Sequence, residues 1–167
     1  LDRCGRVSGA PFAEALEPRL ALSDTPLPTP AMMEDVGNPV IRMEVKYGAF
    51  AGDIDIELYQ GSAPITVANF LNYVTSGRLS ETFFHRLAAE GTTTVPFVLQ
   101  GGGFSFDNAT GLASVSTDAP IIRETTGKSN LERTIAMARS TIDSATSQFY
   151  FNLSDNTELD PTGPGSG

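Results

Sequence analysis

The sequence predicts a mainly β domain, in which an antiparallel hairpin is followed by one amphipathic helix and then by several short strands. Three observations lead to this prediction. Residues 40–59 alternate between apolar and polar side chains, residues 62–77 change to helical spacing, and the later apolar runs are short and bounded by Gly, Ser, Thr, Asn or Asp. This order of elements is typical of an antiparallel α+β or barrel architecture.

The predicted hairpin rests on a period of two. In the segment VIRMEVKY, every second side chain is apolar: Ile41, Met43, Val45 and Tyr47. The segment GAFAG then supplies a turn, after which the apolar positions are Ile54, Ile56 and Leu58, alternating with acids. Two half-apolar strands joined by a short Gly-containing loop predict an antiparallel pair with one buried face.

The predicted helix spans residues 62–77. Its apolar residues fall at the i, i+3, i+4, i+7 spacing of one helical face: Val67, Phe70, Leu71 and Val74. Pro64 suits the first turn, where its missing N–H removes no helical hydrogen bond. Gly77 suits the C-terminal cap, because glycine accepts the left-handed conformation that often ends a helix.

Four later segments are predicted to be strands. They are TFFHRL (82–87), PFVLQ (96–100), RTIAMA (133–138) and SQFYFNL (147–153). The chain before the hairpin differs from all of these, because residues 23–39 hold four prolines and show no sustained period. The sequence therefore divides into a disordered or extended N-terminal tail with a Pro-rich linker (1–38), a folded domain (39–160) and a Gly/Pro-rich tail (161–167).

Charge and composition exclude several classes of function. The formal net charge of −9 repels phosphate backbones and anionic lipid surfaces, so we expect no nucleic-acid binding. No apolar run is long enough to cross a bilayer, so we expect no membrane insertion. One cysteine and one histidine supply neither a disulfide nor a cysteine-based metal site. We therefore expect no metal and no cofactor.

The later blocks resemble one known family in both content and order. FFHR, PFVLQGGGF, NLERTIAMAR, SATSQFYFNLSDN and the pair Leu159-Asp160 are similar to the cyclophilin family, as is the helical segment APITVANFLNYV. The similarity runs from about residue 40 to about residue 160. The resemblance implies a cyclophilin-like antiparallel β-barrel flanked by helices. It also implies peptidyl-prolyl cis-trans isomerase activity toward proline-containing peptides and unfolded proteins, by a monomer that needs no cofactor.

Arg86 occupies the position of the family's catalytic arginine. Rotation about an X-Pro amide must cross a barrier of about 18–20 kcal/mol, which is set by resonance between the carbonyl and the nitrogen. A guanidinium that donates a hydrogen bond to the prolyl nitrogen favours the twisted amide over the planar one, and such differential binding accelerates a reaction. Arginine remains charged at any working pH.

The resemblance also assigns residues that bind the substrate. They are Phe97, Val98, Gln100, Met137, Ala138, Arg139, Gln148, Tyr150 and Leu159. Phe97 would form the floor of a proline pocket, and Gln100 would orient Arg86 and hydrogen-bond the substrate backbone. The segment from Met137 to Arg139 would pair with the substrate backbone. Tyr150 stands where the family usually has Phe, so its additional hydroxyl needs a partner or solvent.

Two departures from the family leave other functions open. The segment Leu87–Val95 is longer than the family's usual link, and the sequence ends where the family continues with further strands and a second helix, so these are expected to be missing. A catalytically inactive cyclophilin-like module that binds proline-containing segments is the alternative, and a fragment without function is a third. Catalysis separates the first two readings.

The tail carries one indication of location. LEPRLALSD, Leu16–Asp24, resembles the LEPR-xLL motif near the N-terminus of some large bacterial surface and secreted proteins. The resemblance implies a parent protein that is exported or attached to the cell surface. If the match arose by chance, a cytoplasmic protein is expected instead.

Overall fold

The computed structural model describes residues 32–89 and 96–161 of the chain. Within these ranges the strands are β1 (Val40–Tyr47), β2 (Phe50–Glu57), β3 (Arg86–Ala89), β4 (Pro96–Gly101), β5 (Phe104–Asp107), β6 (Gly111–Ser114), β7 (Ile135–Met137) and β8 (Phe149–Asn152). One α-helix, α1 (Pro64–Thr75), follows β2, and a 3-10 turn spans Thr157–Leu159 near the end. The described chain is therefore mainly β with a flanking helix, which confirms the predicted class.

The first hairpin pairs β1 with β2 in antiparallel register, from Val40 opposite Glu57 to Tyr47 opposite Phe50. Gly48 makes the tight turn possible, because its φ of 59° lies in the left-handed region. Four of the alternating apolar residues face the core, as their period of two predicts: Ile41, Met43, Ile54 and Ile56. Tyr47, at the tip of the hairpin, is 83% exposed instead.

Helix α1 covers twelve residues, and its first turn is capped by a distant side chain. The Glu124 carboxylate accepts hydrogen bonds from the backbone N–H groups of Ile65 (3.0 Å) and Thr66 (2.7 Å). These are two of the donors that a helix leaves unsatisfied at its start. The buried face carries Val67, Phe70 and Tyr73. Across the described residues, no helix is both long and apolar enough to span a membrane.

A four-stranded antiparallel sheet, in the order β3-β4-β8-β7, forms the centre of the molecule. Directly opposed residues make one row across it: Arg86, Gln100, Tyr150 and Ala136. Residues that oppose one another across strands project from the same face of a sheet. The register therefore puts side chains from all four strands on one surface, although they are far apart in sequence.

The core lies against the other face of this sheet. Its fully buried apolar residues are Ile56, Leu58, Val67, Phe70 and Phe149. Phe149 is only 2% exposed, and its ring meets the edges of three others. The centroid distances are 5.5 Å to Phe70, 6.5 Å to Phe84 and 5.8 Å to Phe151. Helix α1 and the sheet are thus joined through one aromatic cluster, and Ile56 of hairpin β1–β2 belongs to the same hydrophobic core.

Glycine at position 102 is required by a close approach. Gly102 has a φ of 74°, and a Cβ there would lie 2.6 Å from the carbonyl oxygen of Ser147 and 2.9 Å from the Phe149 ring. The Ser147 hydroxyl donates a hydrogen bond of 2.8 Å to the Gly102 carbonyl. The end of β4 therefore packs directly on the segment that begins β8.

Hairpin β5–β6 was not predicted from the sequence. Its strands have four residues each, and Phe106 is paired with Leu112, both of them exposed. The Asp107 carboxylate closes the turn by accepting hydrogen bonds from the N–H groups of Ala109 (2.7 Å) and Thr110 (2.9 Å). With apolar residues outside, the strands carry no buried face for periodicity to reveal.

The residues just before β1 bond to the end of β2. The Glu57 carboxylate accepts hydrogen bonds from the backbone of Glu34 (2.8 Å) and Asp35 (2.9 Å) and from the Asn38 amide (2.7 Å). The LEPR-like stretch and most of the predicted tail lie outside the described residues. The predicted domain boundaries stay predictions.

Candidate functional site

A cavity of about 580 Å³ opens at the face of the central sheet. Every residue that the sequence assigned to the site lines it: Arg86, Phe97, Val98, Gln100, Met137, Ala138, Arg139, Gln148, Tyr150 and Leu159. Five further residues complete the lining, and the sequence analysis did not assign them to the site: Ser140, Ser144, Thr146, Glu158 and Asp160. The fold thus brings the predicted residues together in one place.

A chain of side-chain hydrogen bonds crosses the cavity. Arg86 Nη1 donates to Gln100 Oε1 at 3.1 Å, and Gln100 Nε2 donates to Gln148 Oε1 at 2.8 Å. One guanidinium nitrogen is thereby fixed, while the remaining donors of this exposed side chain are available to a ligand. The inner part of the longer segment, residues 90–95, lies outside the described residues. Arg86 nevertheless stands in register with Gln100.

The segment from Met137 to Arg139 lies at an edge of the sheet. Within the described residues β7 pairs only with β8, so its other backbone edge has no neighbouring strand. The Ala138 N–H donates to the Gln148 carbonyl at 2.8 Å. This bond connects the segment to Gln148, the last residue in the series of hydrogen bonds that begins at Arg86. An open strand edge of this kind can pair with an extended peptide.

The Tyr150 hydroxyl has a partner within the protein. It donates a hydrogen bond of 3.0 Å to Asn130 Oδ1. Burial raises the pKa of the Tyr150 phenol above its usual value, so the ring remains neutral at physiological pH. Tyr150 therefore presents an uncharged aromatic surface to the cavity, with its polar end held away from a bound ligand.

A set of buried asparagines behind the cavity was missed by the sequence analysis. Asn152 and Asn156 are each 1% exposed. Asn156 Nδ2 donates to Asn152 Oδ1 (2.8 Å) and to the Phe97 carbonyl (2.9 Å), and Asn152 Nδ2 donates to Asn130 Oδ1 (3.2 Å). These bonds connect the start of β4 with Asn130, the residue that accepts the hydrogen bond of the Tyr150 hydroxyl. Asn152 ends β8 and Asn156 lies in the loop after it, and single polar residues of this kind follow no period, so the sequence carries no signal for them.

Asp160 anchors this network, and we expect it to make stability depend on acid pH. The Ser129 hydroxyl and the Asn130 backbone and amide donate to its carboxylate, and these bonds hold the pKa of Asp160 below its usual value of about 4. A lowered pKa in the folded state stabilises the fold above pH ~4, and this stabilisation is lost as the pH falls through the lowered pKa.

The test compares thermal unfolding midpoints between pH 2.5 and pH 7 for the wild type and Asp160→Asn. The variant should lose less stability than the wild type on acidification. Glu44→Gln, a half-exposed acid of β1, is the matched control and should follow the wild-type curve. Parallel curves for the wild type and Asp160→Asn would contradict the role given to this carboxylate.

The cavity offers hydrogen-bond donors, amide groups and apolar walls as its chemistry. Its cations are the guanidinium groups of Arg86 and Arg139, and its acids are Glu158 and Asp160. In the part of the chain that the structure describes, no three His, Cys, Asp or Glu side chains are grouped to hold a metal ion. An extended peptide that places an apolar ring against Phe97 and Tyr150 suits such a surface.

Comparison with known proteins gives one consistent result. The family model described as "Cyclophilin type peptidyl-prolyl cis-trans isomerase/CLD" matches residues 40–163. The chain is 44% identical over 113 residues to peptidyl-prolyl cis-trans isomerase A of Dickeya dadantii, covering 66% of this chain and 54% of that protein. It is 40% identical over 114 residues to peptidyl-prolyl cis-trans isomerase B of Escherichia coli K12, covering 67% and 63%.

A solved structure gives the same result for the fold. The cyclophilin type peptidyl-prolyl cis-trans isomerase of Cryptosporidium parvum superposes with a TM-score of 0.50 at 25% identity, over 65% of each chain. The chain spans 54% and 60% of the length of two bacterial relatives that it matches. The family match, the bacterial relatives and the shared fold agree on one assignment. The chain belongs to the cyclophilin-type peptidyl-prolyl cis-trans isomerase family.

Proposed function

We propose that this chain accelerates cis-trans isomerisation of X-Pro peptide bonds in peptides and unfolded proteins, and so assists protein folding. The observation that carries the proposal is the Arg86 guanidinium, which Gln100 fixes at 3.1 Å inside a cavity with apolar walls. Bacterial relatives that are 40–44% identical to this chain carry the name of this activity. The family assignment supports the same chemistry.

Arg86 would act on the prolyl nitrogen. In the planar amide the nitrogen lone pair is delocalised into the carbonyl, and it becomes a hydrogen-bond acceptor only as the bond twists. A donor held near that nitrogen therefore stabilises the twisted state more than either planar isomer. An acceleration of about five orders of magnitude needs roughly 7 kcal/mol of such selective stabilisation. No bond is broken, so no nucleophile is required.

The other lining residues would hold the substrate while its amide turns. Phe97, Val98 and Leu159 supply apolar contact for the pyrrolidine ring, and the neutral Tyr150 ring adds a second aromatic wall. Gln148 and the backbone of Met137–Arg139 would bind the flanking peptide. Fixing one side of the bond lets the other side rotate, which is how positioning contributes to the rate. A monomer suffices for this proposal.

The direct test is NMR exchange spectroscopy on a short Ala-Pro peptide mixed with the purified chain. We expect cis-trans exchange peaks to strengthen in proportion to protein concentration, because uncatalysed exchange takes tens of seconds or more. Heat-unfolded protein serves as the control and should leave the peptide spectrum unchanged. Dispersed protein signals with peptide binding but no exchange would instead indicate the inactive binding module.

A further inference from the structure

Arg139 is a cation in the cavity that no other residue of the described ranges neutralises. Its Nη1 atom is buried and has no hydrogen-bond partner within the described ranges. Salt bridges of 4.0 Å or less connect other cations of these ranges to carboxylates, but none includes Arg139. A buried donor without an acceptor costs stability, and more so when it is charged. A ligand acceptor that reaches this guanidinium from the cavity would therefore remove that cost.

The acids near Arg139 are held by other groups or lie in solvent. The Asp160 carboxylate is occupied by Ser129 and Asn130, and Asp143 accepts the Arg123 N–H at 2.6 Å. Glu158 lines the cavity too, but it is exposed. Within the described chain, the acceptor that Arg139 lacks is not supplied by the protein.

The backbone on both sides of Arg139 is fixed. The Ala138 N–H donates to Gln148 O at 2.8 Å, and the Ser140 N–H donates to the Ser144 hydroxyl at 3.0 Å. A side chain whose backbone is already fixed loses less conformational entropy when it binds a ligand. More of the free energy of the new hydrogen bond then contributes to affinity.

We propose that the Arg139 guanidinium selects substrates that carry an acidic side chain within about four residues of the proline. The inference rests on the proposed isomerase site. A carboxylate suits a guanidinium better than a neutral amide, because the hydrogen bonds are charge-assisted and form in pairs. The position follows from the sheet: Arg86 belongs to β3 and Arg139 follows β7, at its opposite edges. Strands about 4.8 Å apart put roughly 14 Å between these edges, which about four extended residues cover.

The test uses peptides with one proline and a single Glu at each of the four positions on either side, and matched peptides with Gln. Both kcat/KM from exchange spectroscopy and Kd from fluorescence anisotropy are measured. At one or more positions, we expect kcat/KM for the Glu peptide to be about tenfold higher than for the Gln peptide, and its Kd to be about tenfold lower. In Arg139→Gln this ratio should fall to about one. Lys46→Ala removes an exposed cation of β1 and should keep both the ratio and the basal activity.

The two readouts separate the inference from the function on which it rests. Exchange of neutral peptides without any preference for Glu would overturn the inference and leave the isomerase standing. A preference in Kd that Arg139→Gln removes, without exchange of any peptide, would support the inference and refute catalysis. If Arg139→Gln weakened Glu and Gln peptides equally, Arg139 would bind a backbone carbonyl, and acidic selection would be wrong.

Discussion

Replacing Arg86 with alanine is expected to remove most of the acceleration of prolyl exchange while the fold remains intact. The side chain is exposed, and among the described residues its hydrogen-bond partner is Gln100, so the free energy of unfolding should change by less than about 1 kcal/mol. A preorganised donor that acts only in the transition state is worth about 3–4 kcal/mol, which corresponds to a loss of two to three orders of magnitude in rate. NMR exchange spectroscopy of the wild type and the variant at equal protein concentration measures this loss of rate.

Two further variants make this result specific. Arg86→Lys keeps the charge, but a single ammonium cannot reproduce the guanidinium's fork toward both Gln100 and the prolyl nitrogen, so we expect a loss of more than about tenfold. Arg133→Ala removes a guanidinium that is 90% exposed and should leave exchange unchanged. Full activity in Arg86→Ala would place the chemistry elsewhere in the chain.

Replacing Phe149 with alanine is expected to produce the largest loss of stability. The ring is 2% exposed and makes edge contacts with Phe70, Phe84 and Phe151, so truncation leaves a cavity among all three. Phe-to-Ala changes in such cores cost about 3–5 kcal/mol. For a domain of this size the thermal midpoint should fall by more than about 10 °C. Calorimetry or circular dichroism measures the shift.

The matched control for this loss is Phe50→Ala. Phe50 is 79% exposed at the tip of hairpin β1–β2, so the same chemical change creates no internal cavity. We expect it to cost less than about 1 kcal/mol. If both variants lost equal stability, the aromatic cluster around Phe149 would not be what holds the sheet and α1 together.

The elements that bury one regular face were predictable from sequence. Hairpin β1–β2 and helix α1 lie where the periods of two and 3.6 predicted them, with Ile56 and Phe70 buried as expected. Strand ends were less accurate: the run 82–87 was predicted as a strand, whereas β3 begins only at Arg86. Hairpin β5–β6 escaped prediction because Phe106 and Leu112 face outward.

The candidate site was predictable for a different reason. No period reveals that Arg86, Gln100 and Gln148 share a cavity, and only the family resemblance brought them together before the fold was known. Their substrate-binding roles stay predictions until activity is measured. The resemblance did not extend to the support behind the site. Asn130 and Asn156 act through contacts that depend on the final packing of loops, which local sequence does not encode.

The hydrogen-bond chain of the cavity has a consequence for how the protein folds. Arg86 and Gln100 are 14 residues apart, but Gln100 and Gln148 are 48 apart, so the second bond requires closure of a long loop. Loop closure costs more entropy as the loop lengthens, whereas helix α1 nucleates from near neighbours. The surface proposed to act on proline should therefore assemble late. A nascent chain would have secondary structure well before it had any capacity to act on proline.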